Sequence, residues 1–80
     1  MLDYRYKTFL TLIDEGSYTK AAKKLNITQP AVTQHIQHLQ EELGVQLFCY
    51  EGKQLLVTEK GHYLEEQLSL LNRDVERIRT

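Results

Sequence analysis

The stretch that decides the fold is Ser17-Tyr18-Thr19-Lys20-Ala21-Ala22-Lys23-Lys24-Leu25, then Asn26-Ile27-Thr28, then Gln29-Pro30-Ala31-Val32-Thr33-Gln34-His35-Ile36-Gln37-His38-Leu39. Ser17 is a favoured N-cap, because its hydroxyl can accept from a free amide of the first helical turn. Tyr18, Ala21, Ala22 and Leu25 recur at i, i+3, i+4 and i+7, which predicts a short helix. Its buried side is small, so the two alanines would let another helix approach closely, while Lys20, Lys23 and Lys24 lie largely on other faces. Asn26 tolerates the left-handed conformation, Thr28 is a second N-cap, and Pro30 falls in a first turn, where a missing amide hydrogen costs little. A longer helix therefore starts near Gln29. Val32, Ile36, Leu39 and Leu43 are its apolar stripe, with Pro30, Gln34, Gln37, His38 and Glu41 on or near the opposite face and Thr33 and His35 flanking the stripe. Gly44 ends it.

Upstream, Leu2, Tyr6, Phe9, Leu10 and Ile13 form the stripe of a first helix, closed by Asp14-Glu15-Gly16. Downstream, Leu47-Phe48-Cys49-Tyr50 and Leu55-Leu56-Val57 flank Glu51-Gly52-Lys53-Gln54, which predicts two strands joined by a tight turn. After Thr58, another potential N-cap, Leu64, Leu68, Leu71, Val75 and Ile78 repeat at spacings of 4, 3, 4 and 3. That is a heptad seam. Its helix is polar elsewhere, and three helices and a hairpin already fill a small core, so the seam is expected to be a dimer interface instead of a core face. The fold class is mainly α: a winged helix-turn-helix of three helices plus a two-stranded β-hairpin wing over residues 1–57, followed by a long linker and dimerisation helix over 58–80.

Such a unit lays the outward face of its second helix-turn-helix helix in the DNA major groove. Base edges there differ in donor and acceptor pattern, so hydrogen-bonding side chains are needed, and this face offers Gln29, Thr33, Gln34, Gln37 and His38. Glutamine can pair bidentately with adenine, and Pro30 and Ala31 can touch a thymine methyl group. The plain alternative is a solvated polar face. Charge placement favours DNA: from Gly16 to Gln40 there is no acid, and Lys20, Lys23 and Lys24 give that window a formal +3.

The residues Phe9-Leu10, Gly16-Ser17, Ala21-Ala22, Leu25, Thr28-Gln29-Pro30-Ala31-Val32-Thr33, Ile36, Leu39, Glu42-Leu43-Gly44-Val45-Gln46-Leu47-Phe48, Leu56-Val57-Thr58 and Gly61 lie in one ungapped order. In this set the chain resembles the N-terminal domain of LysR-type transcriptional regulators. The resemblance implies bacterial transcription control by double-stranded DNA binding, as a homodimer whose linker helices pair antiparallel. It makes Gln29, Pro30, Thr33 and Gln34 base readers and Ser17, Thr19 and Thr28 phosphate contacts near helix N-termini. Lys53 would be carried by the wing to the backbone or minor groove. Ala31 and His38 complete the expected base-reading set, and Lys20 and Tyr50 the expected backbone set. Many members carry Arg where this chain has Gln34 and Tyr50, basic residues near Gln37 and His38, and Glu where it has Gln40. Gln34 in place of Arg removes the commonest bidentate reader of guanine, which implies an A·T-leaning contact at that base. Tyr50 can donate to a phosphate but lacks the charge.

With 80 residues, 10 Lys+Arg against 11 Asp+Glu, and a net charge of −1, the chain is one small domain and not a uniformly basic binder. It shows no Ser/His/Asp, Cys/His or metal-carboxylate arrangement and no Gly-rich phosphate loop, so no enzyme is expected. His35 and His38 lack a third ligand, His62 has no evident partner, and neither metal nor cofactor is expected. The lone Cys49 cannot close an intrachain disulfide, fits a cytoplasmic location, and reads as a half-buried strand residue. Tyr18 and Tyr63 read as packing residues with a polar tip. No apolar run approaches the roughly 18 residues of a membrane span. Family members usually continue into a larger effector-binding domain, so this chain is expected to be a fragment lacking it. The competing reading is a protein-interaction winged helix without DNA binding.

Overall fold

The structure is a computed structural model that describes the backbone of residues 3–79 and the side chains of residues 3–71. The elements run α1 (Tyr4–Glu15), α2 (Tyr18–Leu25), α3 (Gln29–Leu43), β1 (Phe48–Glu51), β2 (Gln54–Val57) and α4 (Glu59–Arg79). This is the winged helix-turn-helix architecture that the sequence predicts.

Local chemistry sets each boundary. The Ser17 hydroxyl accepts from the Lys20 amide at 3.3 Å and the Thr28 hydroxyl from the Ala31 amide at 3.2 Å, as the N-cap reading expects. Between α2 and α3, Asn26 takes a left-handed conformation (φ 58°), which a short polar side chain tolerates and which turns the chain within three residues. The N-cap of α1 is Asp3, whose carboxylate accepts from the Arg5 amide at 2.8 Å, whereas the sequence reading began that helix's stripe at Leu2, which lies outside the described residues.

The core is formed by Phe9, Leu12, Ala21, Ala22, Val32, Ile36, Leu39, Leu47, Phe48 and Leu68. Phe9 and Phe48 meet edge to face with ring centroids 5.6 Å apart, joining α1 to the hairpin. Three expectations need correction. In α1 the buried line runs through Thr8, Phe9 and Leu12, with Leu10 and Ile13 at its margin, because α2 and α3 both pack against this side. Leu43, the last member of the α3 stripe, is 39% exposed, since the helix runs on past the core. Cys49 is exposed and not half-buried, because β1 buries only Phe48.

The hairpin is antiparallel, pairing Phe48 with Val57 and Glu51 with Gln54, so the turn is only Gly52-Lys53. Leu47 precedes the strand and is fully buried. Its amide donates to the Gln40 side-chain oxygen at 2.8 Å, and its carbonyl accepts from the Thr58 amide at 3.0 Å. Thr58 in turn caps α4, its hydroxyl oxygen accepting from the Gly61 amide at 3.0 Å. A Cβ on Gly61 would press into the Leu47 carbonyl and stand 2.7 Å from Val57 Cγ1, so the start of α4 lies directly on the hairpin.

Candidate nucleic-acid interface

Two solvent-open concavities gather the polar residues singled out from the sequence. The first lies on the outer face of α3, where Gln29, Pro30, Ala31, Thr33 and Gln34 share one lining with Thr28 and Gln37. Behind them, Val32, Ile36 and Leu39 fix the helix to the core, so the outward side chains project from a rigid support. The Thr33 hydroxyl donates to the Gln29 carbonyl at 3.3 Å, which commits its proton and leaves its lone pairs free to accept.

The second concavity, about 200 Å³, lies between the N-terminus of α2 and the wing. Ser17, Thr19, Tyr50 and Lys53 line it together with Tyr18 and Leu55, and Gln29 borders both concavities. Ser17 and Thr28 both accept in their capping bonds, so their hydroxyl protons remain available to an external acceptor such as a phosphate oxygen. The free amides at the start of α2 add to the attraction for an anion. Burial, with Tyr50 adding to it, pushes the Tyr18 phenol above its usual range, so Tyr18 stays a neutral donor at physiological pH.

Two residues expected at these surfaces lie apart. His38 is exposed on α3 but lines neither concavity, because it is displaced around the helix toward His35. Lys20 is exposed one turn into α2 and outside the cleft that holds Lys53. His35 itself is structural: its Nδ1 pairs with the buried Thr8 hydroxyl at 2.8 Å, and the Tyr4 ring stands edge-on at 4.7 Å. Burial first, then the neighbouring His38 and Arg5, hold its imidazole below its ordinary pKa. Arg5 bridges the two helices from their ends, its Nη2 lying 2.7 Å from both Asp3 Oδ2 and Glu42 Oε2.

Gln40 is the supporting residue that sequence reasoning noted only as a departure from a family pattern. Its side-chain oxygen accepts from the Leu47 amide at 2.8 Å and the Phe48 amide at 3.4 Å, tying α3 to the base of the wing. A polar residue at the edge of the α3 stripe, seven positions before a buried leucine, is the only sequence trace of this tie.

The α4 seam divides. Leu68 is 3% exposed within a single chain and belongs to the chain's own core, with Leu64 packed against it, because Gly61 seats the first turns of α4 on the hairpin. Leu70 and Leu71 are 45% and 51% exposed. Val75 and Ile78 lie outside the residues whose side chains are described. His62, expected to lack a partner, stands 3.5 Å from Glu65. Among the described residues, no group of three or more His, Cys, Asp or Glu could hold a metal ion, and no helix is long and apolar enough to cross a membrane.

A family model described as "Bacterial regulatory helix-turn-helix protein, lysR family" matches residues 4–62, which includes both concavities. The chain belongs to the LysR family of bacterial transcriptional regulators. Among solved structures it is similar to a LysR-family transcriptional regulator from Eggerthella lenta, at 54% identity and a TM-score of 0.83, covering 86% of this chain and 99% of that one. It is also similar to BenM_DBD in complex with benA site 1 DNA, at 35% identity and a TM-score of 0.84, covering 98% of this chain and 88% of that one. The uncharacterized regulator YfiE of Escherichia coli K12 is 39% identical over 75 residues, 94% of this chain and 26% of the relative. The chain thus spans about a quarter of the length of the curated relatives it matches. It is a LysR-type helix-turn-helix DNA-binding domain, in a family of regulators and not of enzymes.

Proposed function

We propose that this LysR-type domain binds double-stranded DNA sequence-specifically, as a homodimer reading the two half-sites of an interrupted palindrome, and so regulates bacterial transcription in the cytoplasm. The observation that carries the reading is the pairing of two neighbouring surfaces. One presents Gln29, Pro30, Ala31, Thr33 and Gln34 on a rigid helix face, and the other collects Ser17, Thr19, Tyr50 and Lys53 beside it. The first set suits base edges and the second suits phosphates, which fix register without carrying sequence. Thr28, at the start of the α3 face, and Lys20, exposed on α2 outside the cleft, add backbone contacts, and His38, outside both concavities, reaches the duplex only at the edge of the α3 face. The similarity to a BenM_DBD bound to benA site 1 DNA supports the same use of this fold.

Residues 1–57 carry the DNA-reading surface and 58–80 the pairing helix. In this division the dimer contact begins at the exposed Leu71 and continues along the sequence through Val75 and Ile78, with Leu64 and Leu68 supporting the helix from its own core. The near-neutral net charge of −1 fits a binder that relies on two hydrogen-bonding units more than on bulk attraction. In the longer regulator an effector-binding domain follows α4. Selection of bound sequences from a random duplex pool tests the proposal: recovery of an inverted repeat with fixed spacing is expected, and an unenriched pool contradicts it.

A further inference from the structure

α3 runs from Gln29 to Leu43 without a lysine or arginine, and its two acids, Glu41 and Glu42, sit in the last turn. The concavity on its outer face is therefore lined by amides, hydroxyls and small apolar groups alone. Gln37 belongs to that lining, is exposed, and also borders the adjoining depressions toward Gly44 and toward the hairpin. It thus stands where three depressions of the outward face meet, beside the residues proposed to read bases. From Gln29 to Gln37 the helix rises ~12 Å, the length of roughly three to four base steps.

The chemistry of this inventory is selective. Guanine offers two acceptors, O6 and N7, and is matched by a side chain that donates twice, as Arg or Lys does. A carboxamide offers one acceptor and an NH₂ donor, which matches the N6 donor and N7 acceptor of adenine. The Thr33 hydroxyl donates to the Gln29 carbonyl in this structure, which leaves its lone pairs turned outward to accept. Pro30 and Ala31 supply apolar surface of the kind that meets a thymine methyl group.

We infer that Gln29, Gln34 and Gln37 form a row of adenine readers, that the half-site beneath α3 is built of A·T pairs, and that Gln37 is a specificity-determining residue. The inference rests on the DNA-binding reading and adds the base composition it selects.

The test uses this chain and the duplex recovered from the random pool. Each adenine is replaced in turn by 7-deazaadenine, which lacks the N7 acceptor, and each guanine by 7-deazaguanine. Loss of about five-fold in affinity at two or three adenines per half-site is expected, with guanines indifferent. Gln37→Ala is expected to abolish the sensitivity at one adenine and leave the others, and Gln37→Arg to move the preference at that pair from adenine to guanine by about 5- to 150-fold. Retained binding with indifference to every deaza-adenine overturns the inference and leaves the DNA-binding reading standing. Sensitivity to deaza-guanine at any position of the half-site overturns it likewise. Failure to bind any duplex overturns both.

Discussion

Gln40 of α3 and Leu47 at the foot of the wing are joined by a 2.8 Å hydrogen bond from the Leu47 amide to the Gln40 side-chain oxygen, and Leu47 is fully buried. The helix that carries the proposed base-reading face is therefore tied to the wing. Gln40→Leu leaves a buried amide without its acceptor and is expected to lower stability by about 1–3 kcal/mol, read as a reduced urea midpoint. Gln40→Glu keeps the oxygen and is expected to stay within about 1 kcal/mol of the parent. Equal loss in both variants would show that the side chain matters for volume and not for acceptance.

Gly61 permits a close approach and not a turn. An added Cβ would meet the Leu47 carbonyl, which already accepts from Thr58, and Val57 Cγ1 at 2.7 Å. In an open helix Ala would be favoured over Gly by up to about 1 kcal/mol, but displaced backbone outweighs that preference. Gly61→Ala is expected to destabilise by about 1–3 kcal/mol in thermal melts. An unchanged or raised melting temperature would show that α4 is not seated on the hairpin.

The Thr8–His35 pair makes stability depend on pH. Burial, then His38 and Arg5, hold the His35 pKa below its ordinary 6.5, so the unfolded chain binds the proton more readily than the folded one. The contribution is fully present above pH 6.5 and is lost as pH falls through the folded value. Asp3, lowered by its hydrogen bond from Arg5, acts with the same sign only below its ordinary 3.8. Melting temperature is expected to fall as pH drops from 7.5 toward 5, and His35→Gln is expected to flatten that slope. A slope unchanged in the variant would assign it to other groups.

Leu71 and its neighbour Leu70 are the large apolar side chains that α4 exposes among the described residues, apart from Tyr63. In the homodimer reading Leu71, which belongs to the heptad seam, begins the interface. Leu71→Glu is expected to shift the chain toward monomer in sedimentation velocity with the melting profile of the monomer largely kept, because Leu71 takes no part in the core. Leu68→Ala is expected instead to cost about 2–5 kcal/mol of folding stability. A dimer unaffected by Leu71→Glu would place the contact elsewhere.

Elements were legible in the sequence where one local signal sufficed. Ser17, Thr28, Gly16 and Gly44 mark helix ends through their own side chain or its absence, and the α2–α3 turn follows from Asn26. What was misjudged depends on neighbours that periodicity does not contain. Leu12 and Thr8 are buried because two helices converge on α1, and Leu68 is buried because Gly61 lets α4 lie against the hairpin. Of the candidate residues on α3, Gln29, Pro30, Ala31, Thr33 and Gln34 share one lining, as helix geometry requires, while His38 lies outside it. Gathering Ser17 and Thr19 with Tyr50 and Lys53 in one cleft depends on the tertiary placement of the wing; the resemblance to a family names these residues one by one but does not bring them together.

The most direct measurement is a fluorescence-anisotropy titration at low salt with the selected duplex and a scrambled one of equal composition, for the parent chain, Gln34→Ala and Lys53→Ala. The parent is expected to prefer the selected duplex. Gln34→Ala is expected to relax specificity at one base pair, costing about 1–3 kcal/mol, while Lys53→Ala weakens all sequences about equally. Equal affinity of the parent for both duplexes would contradict sequence reading by α3.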